Sequence, residues 1–175
     1  MSQIIDLVRK AQHGDEDAFL QLFQTCQVEV YRMAYVYLKN KEDALDVVQE
    51  TAYRSFKTIK TLKKPQYFKT WLIKIAINVA HDLLRKNKKI VYLDRETLGW
   101  IGQEDYDVAT SITLNQIVEA LTDQEKSIIF LKFYSDFTLK EIAQVKDIPL
   151  GTAKTILYRA LDKLRKMVKE EKIYE

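Results

Sequence analysis

Four side chains near one end of the chain have the types and spacing to read nucleic acid. Lys154, Thr155, Tyr158 and Arg159 fall one helical turn apart in pairs, so a helix there carries them on one side. Such a cluster can reach base edges or phosphates in a major groove. Lys163, Arg165 and Lys166 follow and suit phosphate neutralisation. A second cluster lies upstream: Lys60, Lys63 and Lys64, then Tyr67, Phe68, Trp71, Lys74 and Asn78. Lysines interleaved with aromatics suit a single strand, whose bases stack while its phosphates are neutralised. Core packing is the simpler reading of Trp71, and a solvated loop accounts for the three lysines as well as contact with DNA does. A third set, Asp46, Gln49 and Glu50, shares one exposed helix face. It suits a basic partner, but on its own solubility explains it better.

Catalytic chemistry has little to build on. His13 and His81 are the only histidines and lie in separate helical contexts. His81 and Asp82 are sequence neighbours, which point to different faces of a helix and make a poor dyad. No glycine-rich phosphate loop and no metal-ligand spacing occurs. Cys26, the single cysteine, excludes an intramolecular disulfide and a multi-cysteine zinc site, and reads as a buried reduced thiol. The expectation is a protein that is not an enzyme, with no cofactor, no metal and no small-molecule substrate.

The elements that must position these residues are all helical. A first helix fits residues 2–12, with Ile4, Leu7, Val8 and Ala11 in one stripe. Gly14 ends it, and a second helix runs to about Leu38 with Phe19, Leu22, Phe23, Val30, Met33, Ala34 and Tyr37 inward. Asn40 can cap a third, whose stripe is Ala44, Val47, Val48, Thr51, Ala52 and Phe56. Residues 57–66 read as a basic loop, and Pro65 as the start of a fourth helix reaching about Lys88. Periodicity fails over 89–111, the best linker. It resumes through Ile112, Ile117, Val118 and Leu121. Thr122–Glu125 and Thr138–Glu141 then form two capping boxes that open further helices. The second capping box, the turn at Asp147, Ile148 and Pro149, and the helix from about Leu150 make a helix-turn-helix over 138–165. Ile142, Ile148, Ala153 and Ile156 or Leu157 supply its small core, and Ala143 lets its helices cross closely. An ordinary helical hairpin would look similar.

With 175 residues, 47% of them hydrophobic, the chain is long enough for one domain or two small ones. Four glycines and two prolines are too few for a fold of many short strands. No signal peptide and no membrane span is evident, so a soluble, cytoplasmic protein without membrane insertion is expected. The net charge of +3 conceals a pattern. Residues 57–95 carry 11 basic and 2 acidic side chains, residues 96–124 carry 6 acidic and none basic, and residues 150–175 carry 7 basic and 4 acidic. Two basic blocks flanking an acidic one suit a polyanion touched at two places, and two solvated lysine-rich helix faces explain the charges equally well.

Three segments in order carry a family resemblance: Asp43-Ala-Leu-Asp-Val-Val-Gln-Glu-Thr51, Phe68-Lys-Thr-Trp-Leu-Ile-Lys-Ile-Ala-Ile-Asn78 and Ile148-Pro-Leu-Gly-Thr-Ala-Lys154. Together they resemble a bacterial sigma factor of the extracytoplasmic-function group, over nearly the whole chain. The resemblance implies an all-α fold of two small helical domains, a region-two bundle and a region-four helix-turn-helix, joined by a flexible linker. It implies residues 1–90 for region two, 91–111 for the acidic linker and 112–175 for region four.

It further implies a transcription initiation factor whose partners are core RNA polymerase, through the beta-prime clamp and the beta flap, promoter DNA, and an anti-sigma protein. Asp46, Gln49 and Glu50 match the face that docks on the clamp. The loop at 57–67, with Lys60, Lys63, Lys64 and Tyr67, resembles the one that captures a flipped base of the minus-ten element. Lys74 and Asn78 match the helix at the point of strand opening. Lys154, Thr155, Tyr158 and Arg159 match the helix that reads the minus-thirty-five element. The acidic linker resembles the segment threaded toward the RNA exit path. Ile156 departs from the family, standing where many relatives carry a basic residue, and Leu150 replaces a residue that is often polar. The alternative, a stand-alone helix-turn-helix regulator, explains 138–165 but not the upstream clusters.

Overall fold

Helix ends in this chain are set by short polar side chains. Asp15 accepts the Ala18 amide at 2.9 Å and Asn40 that of Asp43 at 3.0 Å, each opening a helix whose first turn carries two acids. Gly14, between the first two helices, sits at φ +100, which glycine adopts without strain. The computed structural model describes residues 2–91 and 121–171. The first half comprises α1 (Ser2–Gln12), α2 (Glu16–Leu38), α3 (Lys41–Thr58) and α4 (Phe68–Val91). The second comprises α5 (Asp123–Ile129), continued by a π-helical turn over Phe130–Tyr134, then α6 (Leu139–Lys146) and α7 (Leu150–Glu171). Among the described residues the fold is all-α. The expected acidic linker and most of the helix expected around 112–121 lie outside them.

The stretch expected as an irregular basic loop is more ordered than that. α3 runs through Thr58, a 3-10 turn covers Ile59–Thr61, and a second covers Pro65–Tyr67 before α4 begins. Pro65 therefore opens a 3-10 turn rather than α4; its fixed φ and missing N–H suit either start. Ile59 and Leu62 are buried, and Gln12 of α1 donates to both their carbonyls, at 3.0 and 2.8 Å. The backbone is thus anchored while Lys60, Lys63 and Lys64 stay exposed.

The core follows the apolar stripes. Leu22, Val30, Met33 and Ala34 of α2 meet Ala44 and Val47 of α3 and Leu72, Ile73, Ala76 and Ala80 of α4, all fully buried. Ala18 and Cys26 join them, the latter as a free thiol whose burial pushes its pKa up. Phe56, expected inward, is partly exposed and meets Phe19 edge-on at 5.1 Å, while Ser55 takes the buried position.

The two halves are in contact. Ile128, Leu131, Phe137, Ile142 and Val145 belong to the same buried cluster as the first half. Lys146 of α6 donates to the Tyr37 hydroxyl at 2.6 Å and the Ser127 hydroxyl at 2.8 Å. Lys69 of α4 donates to the Ser135 carbonyl at 3.1 Å, and the Arg32 guanidinium lies 4.6 Å from the centre of the Tyr134 ring. The exposed pair Lys39–Asp123, at 3.5 Å, adds only about 0–1 kcal/mol to this seam.

Leu72→Ala is expected to cost about 2–5 kcal/mol of stability, the usual penalty for emptying a fully buried leucine site. Urea denaturation followed by circular dichroism measures it, and a cost below about 1 kcal/mol would contradict the packing described.

Candidate functional site

The helix-turn-helix is built by its turn. Asp147 ends α6 in the left-handed conformation (φ 51, ψ 44), and the Ile148 amide donates to the Ala143 carbonyl at 3.0 Å. Pro149 then precedes the first turn of α7, where its missing N–H costs nothing. Of the expected small core, Ile142 and Ala153 are buried together with both Ile156 and Leu157, while Ile148 is only half-buried. Ile156, only 6% exposed, is a core residue, so its side chain packs between the helices and is not turned toward the outer face. Lys154, Thr155 and Tyr158 face outward, Tyr158 at 63% exposure. The Thr155 hydroxyl donates to the Gly151 carbonyl at 2.9 Å. Arg159 differs from the other three. Its Nε donates to Glu125 at 3.1 Å, and Lys163 one turn on donates to the other oxygen of the same carboxylate at 2.8 Å.

The second cluster converges on a groove of about 630 Å³. Lys63, Lys64, Tyr67, Trp71 and Lys74 line one side, and Lys140 of α6 lies across from them. Trp71 is part-buried, its ring 6.0 Å from that of Phe68, so it is neither a pure core residue nor a free platform. Lys74 is engaged across the seam, donating to the Asp147 carboxylate at 2.5 Å and the Gln144 carbonyl at 3.3 Å. Lys60 and Asn78 are exposed but lie outside the groove lining.

The third set sits on a separate groove of about 490 Å³ between α3 and α4. Asp46 and Gln49 are exposed and Glu50 is part-buried. Arg54 organises this face. It donates to Glu50 at 2.6 Å and to Asp82 of α4 at 3.0 Å, and Arg85 also pairs with Asp82. Hydrogen bonds to Glu50 and Asp82 hold the Arg54 pKa above its ordinary value, and those from Arg54 and Arg85 hold Asp82 below its own. From the sequence Arg54 goes unremarked, and Asp82 stands out only as a polar residue of the fourth helix beside His81, not as its partner. The four-residue spacing of Glu50 and Arg54 announces their pairing, but nothing local announces Asp82, which arrives from another helix.

The histidine left without a catalytic role lies near the seam. The His81 ring meets Tyr37 edge-on at 5.0 Å. Burial lowers its pKa, Lys146 and Arg85 lower it further, and Asp82 opposes them. Among the described residues no cluster of histidine, cysteine and acidic side chains could hold a metal ion.

Comparison with known proteins matches this arrangement in order. The Sigma-70 region 2 family model matches residues 22–90, and the Sigma-70 region 4 family model matches residues 117–166. The chain is 37% identical to the RNA polymerase sigma factor SigV of Bacillus subtilis, over 82% of this chain and 86% of that one. It is 31% identical to the ECF RNA polymerase sigma factor SigW of the same organism, over 93% and 95%. In fold it is similar to the sigma factor RpoE solved with the anti-sigma factor NepR from Bartonella quintana, with a TM-score of 0.71 at 21% identity, covering 86% of this chain and 96% of that one. It is likewise similar to CnrH solved with the cytosolic domain of CnrY, with a TM-score of 0.70 at 21% identity, covering 96% and 98%.

The His81 environment predicts a pH dependence with a definite sign. Folding lowers the affinity of this ring for a proton, so its neutral form carries full stability above the unfolded value, about pH 6.5. Stability is lost as the pH falls below that value toward the folded one. Between pH 7.5 and 5.5 the wild-type melting temperature should fall further than that of His81→Gln. Equal falls would contradict the contribution.

Proposed function

The chain belongs to the extracytoplasmic-function group of the sigma-70 family, and on that premise we propose how its residues divide the work of starting transcription. A sigma factor is a transcription initiation factor, not an enzyme: it binds core RNA polymerase and directs it to promoters, while the polymerase makes the RNA. In the reading proposed here, residues 1–90 act as region two, 91–111 as the acidic linker and 112–175 as region four. Asp46, Gln49 and Glu50 dock on the beta-prime clamp, and region four rests on the beta flap. Lys60, Lys63, Lys64, Tyr67, Lys74 and Asn78 engage the minus-ten element and its opening strand. Lys154, Thr155, Tyr158 and Arg159 engage the minus-thirty-five element.

The observation that carries this reading is the exposed outer face of α7. Lys154, Thr155 and Tyr158 project from a helix-turn-helix whose opposite side buries Ala153, Ile156, Leu157 and Ala160. The groove of lysines with Tyr67 and Trp71 supports a single-stranded partner for region two. A stand-alone regulator would leave the region-two match without a role. Work in the cytoplasm is the corresponding location, and among the described residues no helix is long and apolar enough to cross a membrane. The two solved proteins of like fold compared above each carry a second protein, named an anti-sigma factor in one case. Control of this chain by an anti-sigma protein follows the same pattern.

Transcription with purified core polymerase tests the assignment. Replacing Lys154 and Tyr158 together by alanine should cut transcript from a cognate promoter by at least tenfold, since each lost base contact costs about 1–3 kcal/mol. Holoenzyme assembly should be unaffected, and unchanged transcription would remove α7 as the reader. Gln49→Ala combined with Glu50→Ala should instead weaken assembly; normal assembly would remove that face as the docking site.

A further inference from the structure

One buried carboxylate lies behind the reading helix. Glu125 is in the first turn of α5, its side chain 1% exposed. It is the third residue of α5 and closes the capping box, with the Thr122 amide donating to its Oε2 at 2.9 Å. That role needs one oxygen and no charge. Glu125 does more. Its Oε1 accepts from Arg159 Nε at 3.1 Å, and its Oε2 accepts from Lys163 Nζ at 2.8 Å. Arg159 and Lys163 stand one helical turn apart on α7, so a single fixed anion grips two successive turns. Burial alone would push the Glu125 carboxyl up, but the Lys163 and Thr122 hydrogen bonds outweigh it and hold the group ionised.

The geometry at Arg159 is selective. The guanidinium is held through Nε, which leaves the two terminal nitrogens without a partner among the described residues. The side chain remains 57% exposed, on the face that carries Thr155 and Tyr158. An arginine held at one edge has lost much of its freedom before it meets a ligand, so less is lost on binding. Lys154 has no carboxylate partner among the described residues and lacks any such support.

We propose that Glu125 is a positioning residue for reading of the minus-thirty-five element: it holds Arg159, with Lys163 as a second anchor, so that the free edge of the guanidinium faces the DNA. The inference rests on the assignment of α7 as the reading helix. It adds that specificity at the Arg159 contact depends on a residue that never touches DNA. Glu125 acts through Arg159 and has no contact of its own to lose.

The experiment uses holoenzyme assembled from the full chain. It measures the ratio of transcription from a cognate promoter to that from one with a scrambled minus-thirty-five element. Glu125→Gln keeps the volume and the capping acceptor but removes the charge that grips Arg159. It should reduce the ratio about five- to tenfold, the scale of one base contact. A template with an already unpaired minus-ten segment and no minus-thirty-five element should be transcribed as well as by wild type. In a double-mutant cycle with Arg159→Ala, Glu125→Gln should add no further loss of ratio.

An unchanged ratio, or a loss that adds fully to that of Arg159→Ala, would overturn the proposal. So would an equal loss on the unpaired template, which would mark Glu125 as a stability residue only. Arg159→Lys answers the case in which Glu125→Gln does not fold: it leaves the buried acid paired but removes the free edge, and should lower the ratio to a similar extent, while an undiminished ratio would overturn the proposal. Failure of the wild-type holoenzyme to distinguish the two promoters would instead sink the assignment of α7 itself.

Discussion

Helix α4 is apolar over too wide an arc to be satisfied by one neighbour, and much of the architecture answers that constraint. At 3.6 residues per turn, its buried positions Phe68, Leu72, Ile73, Ala76, Ile77, Val79 and Ala80 span roughly 180° of its circumference. A surface helix usually hides a narrower stripe. Here α2 and α3 cover part of the arc and α6 of the second half packs against another part. The polar residues left on α4, among them Lys69, Thr70 and Lys74, therefore lie along the edges of a joint. Each is bonded across it, to the Ser135 carbonyl, Glu141 and Asp147 respectively. The face assigned to strand opening and the seam between the halves are thus neighbouring parts of one helix.

The same economy of charge recurs at the other two faces. Arg54 sits between Glu50 and Asp82, and Glu125 between Arg159 and Lys163. In both cases a surface side chain with a proposed partner elsewhere is already tethered by an opposite charge at home. The two tethers differ in depth. Arg54 and its acids are all partly exposed, so their pairing is screened by solvent. Glu125 is buried, and removing its cations would leave a charge in the interior, which proteins tolerate poorly.

Much of this was legible in the sequence, for reasons that are local. The caps at Asn40, Thr122 and Thr138 and the stripe of α2 depend on residues three or four apart, and the helix-turn-helix core follows from the same spacing. The segment 57–66 was harder. Its lysines signal a loop, whereas its order comes from Gln12, nearly fifty positions away, holding the carbonyls of Ile59 and Leu62. Arg159 was read from its place on the helix alone. Its partner Glu125 looked like an ordinary capping residue, because a capping box gives no hint of what else its carboxylate will grip. Distant charges brought together by packing leave no periodic trace.

The ion pair between Lys74 and Asp147 bears on how the energy of promoter binding is shared. A basic side chain that binds DNA usually displaces a counterion condensed on the phosphates, and the gain appears as a steep dependence on salt. Lys74 is not a free cation; its charge is already met by a carboxylate of the helix-turn-helix turn. On the reading proposed for Lys74, its transfer to a phosphate exchanges one ion pair for another, leaving a bare Asp147 to be hydrated. The counterion released by the DNA is then partly offset by a cation drawn to Asp147. On that reading the helix proposed to open the strand is a weaker salt sensor than its lysine count suggests, because this lysine gives up one ion pair to make another.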